Sequence, residues 1–288
     1  MVKWYENLYL EQKMKKIMSY FAVFFLVNFL NAETPEAVKE AKTLSTQEQL
    51  HSEATIQQPK AHEQKNNKVL IVGTNANYKP FSYIGMSFEP IGFEIDLIED
   101  IAKKAGFEYK IKEMDFDKII PALQDESIDI GLSSISITDE RKGLVDFSEP
   151  YFETKTVYLK NAKNDKIQDK KSLNGKIVSA QKETVFEEIA SSIEGAKVET
   201  FNTPDAGIMN LKFNKVDVVI LDLVVANEYL GKNKDFVKFF EEGDGTKGFG
   251  MAFTKGKNEA LITRINEALD ALKSDGTYNK LLTKYHLK

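Results

Sequence analysis

The chain has 288 residues, of which 42% are hydrophobic, and this length and apolar content allow about two globular domains. It contains no cysteine, which excludes disulfides, thiol chemistry and a lipid anchor on a lipobox cysteine. The formal net charge of −5 argues against a nucleic-acid partner, because such a partner requires a dense basic face.

The amino terminus has the pattern of a secretory signal peptide at residues 1–32. Three lysines precede an apolar run at residues 17–30, and Ala32 provides a small residue for cleavage. The run is short for a membrane span, although an uncleaved anchor is the alternative. Translation could start at Met1 or at Met14. We therefore expect export to the periplasm, without a lipid anchor.

Residues 33–67 are rich in Glu, Gln, Lys, Thr and Ala and have few large apolar residues. Such a segment cannot bury enough surface to offset the entropy of ordering it. We predict a flexible polar tether here, and a folded unit that begins at residue 68.

The folded unit alternates predicted strands and helices, which favours an α/β fold with mostly parallel sheets flanked by helices. The first half has strands at 69–72 and 107–111 and helices at 92–104 and 116–124, with a loop at 74–83. The second half has strands at 177–180, 198–201, 216–221 and 248–253, helices at 184–193, 204–214 and 223–231, and a helical end.

Residues 128–152 carry the strongest functional signal between these halves. The segment starts with the alternating pattern of a half-buried strand, and the pattern then changes phase at Ser133 and Ser134. Thr138 follows as a good N-cap, with carboxylates in the first helical turn. Arg141 is at the third helical position, close to the serine loop.

Arg141 is one of two arginines in a chain whose other basic residues are lysines and histidines. A guanidinium binds a carboxylate through two parallel hydrogen bonds, which an ammonium cannot do. A surface pair with Glu140 or Glu149 is the alternative. The neighbouring hydroxyl loop favours an anion site.

The stretch GLSSISITDERKGLVDFSEPYF, at residues 131–152, resembles the signature of bacterial extracellular solute-binding proteins of family 3, which serve ABC transporters of polar amino acids. The resemblance extends through the folded part of the chain. It implies a periplasmic binding protein-like fold with two lobes, residues 68–154 plus 247–288 and residues 155–246, hinged by two crossing strands. It also implies that Glu94 and Asp96 are solvated or capping.

The resemblance further implies an amino-acid site between the lobes. Arg141 would bind the α-carboxylate with Thr184 and a backbone N–H near Ser136, and Asp222 and the Ser134 carbonyl would bind the α-ammonium. Tyr78 and Phe116 would enclose the side chain. The complete set is Asn75, Tyr78, Phe116, Ser133, Ser134, Ser136, Arg141, Thr184 and Asp222.

Three of these positions, Tyr78, Phe116 and Asp222, have a structural alternative, and Tyr78 could be a core anchor of its loop. Phe116 could be a core residue. Asp222 ends an apolar strand and could simply cap the next helix, although ligands in open α/β sheets lie beyond the carboxyl ends of strands. Thr184 follows Glu183, where the family has glycine. The sequence alone therefore does not determine the local backbone geometry at Thr184.

The predicted function is capture of a polar, basic amino acid for an inner-membrane ABC permease. The alternatives are glutamine or cystine as ligand, or a cyclohexadienyl dehydratase on the same scaffold. We expect a monomer that is not an enzyme and has no nucleic-acid partner. The isolated histidines, His51, His62 and His286, lack metal-ligand spacing, so we expect no metal and no other cofactor.

Overall fold

The computed structural model describes residues 68–288, which form an α/β fold built on two five-stranded sheets. The predicted signal peptide and polar tether lie outside the described residues. Three short strands add a small antiparallel sheet: β2 at Asn77–Tyr78, β3 at Ser82–Ile84 and β4 at Pro90–Ile91. β2 and most of β3 lie in the segment 74–83 that is predicted to be a loop, and β4 lies beyond it.

The first large sheet has the strand order β5-β1-β6-β13-β7. Its strands are β1 (Leu70–Thr74), β5 (Tyr109–Glu113), β6 (Ile130–Gly131), β7 (Val145–Phe147) and β13 (Ala252–Thr254). β1 pairs in parallel with β5 and β6, whereas β13 pairs antiparallel with β6 and β7. We call this sheet with its helices the first lobe.

The second large sheet has the strand order β10-β9-β11-β8-β12. Its strands are β8 (Lys155–Asn161), β9 (Ile177–Gln181), β10 (Lys197–Phe201), β11 (Val218–Asp222) and β12 (Phe236–Gly243). β9 pairs in parallel with β10 and β11, and β8 pairs antiparallel with β11 and β12. We call this sheet with its helices the second lobe.

The helices follow the strands closely in sequence. Those of the first lobe are α1 (Phe93–Ala105), α2 (Phe116–Gln124), α3 (Asp139–Leu144), α7 (Glu259–Ser274) and α8 (Thr277–Lys284). Those of the second lobe are α4 (Val185–Ser191), α5 (Pro204–Lys212) and α6 (Leu223–Lys232), with a 3-10 turn at Lys170–Leu173.

The two-lobed α/β architecture is confirmed, but each large sheet has as many antiparallel as parallel pairings, so neither is mostly parallel. The antiparallel pairings arise because the chain crosses between the lobes twice, once before β8 and once after β12. The crossing segments meet at a bridge between Phe152 and Phe249. The predicted strand at 248–253 is therefore wrong in its first half, and only Ala252–Thr254 joins a large sheet.

Helix α1 shows how local sequence sets the first lobe. Its apolar residues Leu97, Ile98 and Ile101 are fully buried at helical spacing. The helix ends at Gly106, whose φ of 69° is the left-handed C-cap that glycine adopts without steric cost. Glu94 was expected to be solvated or capping, and this is wrong, because it is completely buried and α1 has no side-chain cap.

Candidate functional site

The predicted ligand residues follow strands of both lobes. Asn75 comes directly after β1, and Ser133 lies two residues after β6. In the second lobe Thr184 is the N-cap of α4 and Asp222 ends β11. Because the carboxyl ends of parallel strands are where ligands bind in α/β sheets, this placement makes the cleft between the lobes the candidate site.

Eight of the nine predicted residues line one small cavity in this cleft. The cavity has a volume of about 20 Å³, and its lining is Asn75, Tyr78, Phe116, Ser133, Ser134, Ser136, Arg141, Gln181, Thr184 and Phe186. Asp222 does not belong to this lining. A volume of this size holds one water molecule, whereas small-molecule pockets measure about 300–1,000 Å³. The cleft must therefore widen to admit an amino acid.

Arg141 is buried, with 7% of its surface exposed, in the first turn of α3. Its backbone N–H donates to the Thr138 hydroxyl, which confirms Thr138 as the N-cap. The guanidinium donates to the carbonyls of Ser136 at 3.0 Å and Glu183 at 2.7 Å, and it forms no ion pair with any residue from 68 to 288. The predicted alternative, a surface ion pair with Glu140 or Glu149, is wrong.

The electrostatic surroundings of Arg141 are unusual for a buried cation. Burial lowers the pKa of its guanidinium, and the charges of Glu188, Glu140 and Glu183 oppose that shift from a distance. A buried charge is ordinarily paired. Arg141 therefore has hydrogen-bonding and charge capacity for an anion.

Residues of the first lobe hold the serine loop, the segment that contains Ser133 and Ser134, in place. The Ser133 hydroxyl accepts a hydrogen bond from the Asn75 backbone N–H at 3.1 Å, and the Asn75 side-chain amide donates to the Met114 carbonyl. Ser134 has a φ of 48°, in the left-handed region that disfavours a side chain. The loop thus presents its hydroxyls and backbone in one defined arrangement.

Asp222 is completely buried at the first turn of α6. Its Oδ1 accepts hydrogen bonds from the N–H groups of Val224 at 2.7 Å and Val225 at 3.2 Å, which confirms the capping interpretation for that oxygen. Its Oδ2 is buried and has no hydrogen-bond partner within the described part of the chain. Burial raises the pKa of Asp222 to about 6. The Thr154 hydroxyl, which lies nearby without hydrogen-bonding geometry, and these two N–H groups partly offset the rise.

Two aromatic residues border the cavity from the first lobe. Tyr78 is buried and stacks on Phe81 at a ring separation of 6.1 Å, and its pKa is raised well above the usual value by burial and then by the Asp222 charge. The Phe116 ring lies 5.7 Å from the Arg141 guanidinium and also packs against the core of the first lobe.

The Glu183 carbonyl is the contact of the second lobe with Arg141, and Thr184 follows it at the start of α4. Glu183 has a φ of 59°, the conformation that glycine adopts freely, so the backbone keeps a glycine-like geometry without glycine. The Thr184 hydroxyl donates to the Gln181 carbonyl at 2.7 Å and does not cap α4. The chain therefore builds a tight turn that brings a carbonyl to Arg141.

Two lining residues, Gln181 and Phe186, were missing from the sequence prediction. Gln181 is the last residue of β9, the same carboxyl-end position that drew attention to Asp222, and that signal could have identified it. Phe186 lies in the first turn of α4 and carries no comparable signal, because an apolar residue there normally packs in the core.

A wider acidic groove opens beside the cavity, between α2 and α3 of the first lobe and α4 of the second. Its volume is about 590 Å³, and its five carboxylates belong to Asp117, Glu140, Glu183, Glu187 and Glu188. Arg141, Phe116 and Thr184 line both the groove and the cavity. The groove is thus a negatively charged space next to the candidate site.

Across residues 68–288, no helix combines the length and apolar character that crossing a bilayer requires.

Comparison with known proteins gives three consistent matches. The family model "Bacterial extracellular solute-binding proteins, family 3" matches residues 70–288. The chain is 40% identical over 228 residues to a "Probable histidine-binding protein" of Campylobacter jejuni, an alignment that covers 79% of this chain and 89% of the relative. It is 33% identical to the "Arginine-binding extracellular protein ArtP" of Bacillus subtilis, and that alignment covers 77% of this chain and 88% of the relative.

Among solved structures, "An ancestral arginine-binding protein bound to arginine" is similar to this chain with a TM-score of 0.71 and 38% identity. That match covers 75% of this chain and 97% of the other. The similarity therefore includes both lobes.

Proposed function

Since the chain belongs to the bacterial extracellular solute-binding proteins of family 3, we propose that it captures a basic amino acid for an ABC transporter. Relatives that are similar over most of their length are named for histidine and arginine, and a similar structure holds arginine. These names support arginine, lysine or histidine as the ligand. Glutamine and cystine are the other polar candidates.

The observation that carries the proposal is a pair of buried, incompletely paired charges on opposite lobes. Arg141 of the first lobe donates only to carbonyls, and Asp222 of the second lobe has one oxygen without a partner among the described residues. The α-carboxylate and α-ammonium of a free amino acid carry the two complementary charges. In the proposed complex each group of the ligand pairs with one lobe.

The surroundings of the cleft support a cationic side chain. Arg141 is the only Lys or Arg among the residues that line the cavity, so no second cation is available for an acidic side chain. The adjoining groove is acidic, and the Phe116 and Tyr78 rings give faces that attract a cation. A long basic side chain therefore fits the chemistry of this cleft better than an acidic one.

The family is extracellular, and we propose that this member acts as a periplasmic monomer, exported by the signal peptide predicted at residues 1–32. Its partner is an inner-membrane ABC permease that recognises the closed form. We propose binding without catalysis, since the similar proteins named above are binding proteins.

A thermal-shift screen of the twenty amino acids and cystine tests the proposal. Before the screen, the protein is unfolded, dialysed and refolded to remove any amino acid that co-purifies. A ligand at a hundredfold excess over its dissociation constant stabilises the native state by about 2.7 kcal/mol. We expect arginine, lysine or histidine to give the largest shift, and we expect no turnover of prephenate or arogenate. Shifts only with acidic or small apolar amino acids would refute the assignment.

A further inference from the structure

Glu94 is a buried carboxylate directly behind the serine loop. It is the second residue of α1 and has no exposed surface. A carboxylate in the first turn of a helix is ordinarily solvated, where it interacts favourably with the helix dipole without desolvation. Burial here removes that solvation, so other groups must hold the carboxylate.

All hydrogen bonds to Glu94 converge on one oxygen. Oε1 accepts from the Ser134 backbone N–H at 2.6 Å, from the Ser134 hydroxyl at 2.9 Å and from the Tyr151 hydroxyl at 2.5 Å. Oε2 is buried and has no partner in the part of the chain that the structure describes. Glu94 also forms no ion pair there. Burying a carboxylate oxygen without a partner lowers the stability of the fold. Its presence here therefore indicates a further role.

The residue that Glu94 holds, Ser134, has a strained backbone. Ser134 has a φ of 48°, a left-handed conformation that is unfavourable for an L-residue with a side chain. The hydrogen bonds that Ser134 donates to Glu94, at 2.6 and 2.9 Å, are short and oppose that strain. Two of the three bonds to Oε1 come from Ser134, and the Ser134 N–H also donates to the Tyr151 hydroxyl at 3.2 Å, so Glu94 holds this residue together with Tyr151.

We propose that Glu94 is a positioning residue, which holds Ser134 in its left-handed conformation so that the Ser134 carbonyl is directed at the α-ammonium of the ligand. The inference rests on the proposed function, with the addition that the Ser134 carbonyl accepts a hydrogen bond from the ammonium whose charge pairs with Asp222. Glu94 acts through Ser134 and does not line the cavity itself. Its contribution is therefore specific to the ammonium end of the ligand.

A ligand pair that differs only in the ammonium provides the test. Calorimetry measures the dissociation constants of L-arginine and of 5-guanidinopentanoate, its analogue without the α-amino group. If the melt screen identifies histidine, the pair is L-histidine and imidazole-4-propanoate. We expect Glu94→Gln to weaken the amino acid about tenfold, because a neutral acceptor holds Ser134 less firmly, and to weaken the analogue less than about threefold.

Two further variants separate positioning from a general structural role. Ser134→Gly places a residue that adopts positive φ without steric cost, so Glu94→Gln should change the preference for the amino acid less in this background. Asp96→Asn is the matched control, since Asp96 lies in the same helical turn but is held by Lys284 and Tyr285. We expect it to leave both dissociation constants unchanged.

The outcomes are distinct. If Glu94→Gln does not fold, Tyr151→Phe removes one donor to the same oxygen and should shift the preference in the same direction by a smaller factor. If the wild type binds the amino acid and Glu94→Gln keeps the full preference over the analogue, the inference is wrong and the proposed function stands. If the wild type binds no amino acid, the proposed function fails first and the inference fails with it.

Discussion

Replacing Asp222 by asparagine should make the ligand-free protein more stable while abolishing ligand binding. The pKa of Asp222 is about 6, against an ordinary value of 3.8. The native state therefore binds its proton more tightly than the unfolded state. The stabilisation associated with that proton is complete below pH 3.8 and is lost as the pH rises to about 6.

The size of the effect follows from the same two values. Relative to low pH, where Asp222 is protonated in both states, the pKa difference removes about 1 kcal/mol of unfolding free energy at pH 4.5 and about 3 kcal/mol at pH 7.5, the latter as an upper limit. Asparagine carries no charge and caps helices as well as aspartate, so Asp222→Asn should keep the bonds to Val224 and Val225. We expect it to gain about these amounts of unfolding free energy, with more gain at the higher pH.

Urea denaturation of ligand-free protein at pH 4.5, 6 and 7.5 measures the gain, and calorimetry with arginine measures binding. Asp169→Asn is the matched control, because Asp169 caps the 3-10 turn at Lys170–Leu173 but is exposed and distant in sequence from the cleft residues. It should show no gain that grows with pH. Unchanged affinity in Asp222→Asn would show that Asp222 only caps α6, and a loss of stability at pH 7.5 would refute the argument from burial.

Three further predictions follow from the same cleft. Arg141→Lys should weaken arginine binding by about 2 kcal/mol or more in calorimetry, with little change in unfolding, because an ammonium cannot make the two parallel bonds; near wild-type affinity would contradict it. Glu183→Gly should raise the free energy of unfolding in urea by up to about 1 kcal/mol, because glycine adopts the φ of 59° without strain. The comparison variant Glu126→Gly, at a φ of 60°, should be stabilised in the same way. A lower free energy of unfolding in both variants would show that no strain is stored at these positions. Arginine affinity should fall below pH 6, by up to about tenfold per pH unit, because the ammonium pairs with ionised Asp222; a flat profile from pH 4.5 to 7.5 would exclude that pairing.

Features with a local signal could be predicted from the sequence. Helix α2 begins and ends where predicted, α1 ends at the glycine that its pattern indicates, and Thr138 caps α3. Caps, glycines and helical periodicity act over a few residues, so a single sequence contains the information. The ligand residues came from the resemblance of a long motif, since no local rule links Asn75 to Asp222.

Features that depend on distant contacts could not be predicted. Strand β12 was missed because its lysines, phenylalanines and glutamates do not alternate, and it is held by its pairing with β8. Glu94 was expected to be solvated because its partners are 40 and 57 residues away, at Ser134 and Tyr151. Nothing near Glu94 in the sequence indicates either contact.

The arrangement of charges also explains how ligand and closure would be coupled. Arg141 reaches the Glu183 carbonyl across the cleft, and Lys182 pairs with Asp117 beside it at 2.9 Å, so the closed form has its own contacts between the lobes. The same closure buries Arg141 and Asp222 without ionic partners among the described residues, which opposes it. An amino acid supplies both missing charges at once, and its differential affinity for the closed form shifts the population towards closure. The cost of burying the two charges therefore makes closure less favourable for the empty protein than for the protein with bound ligand.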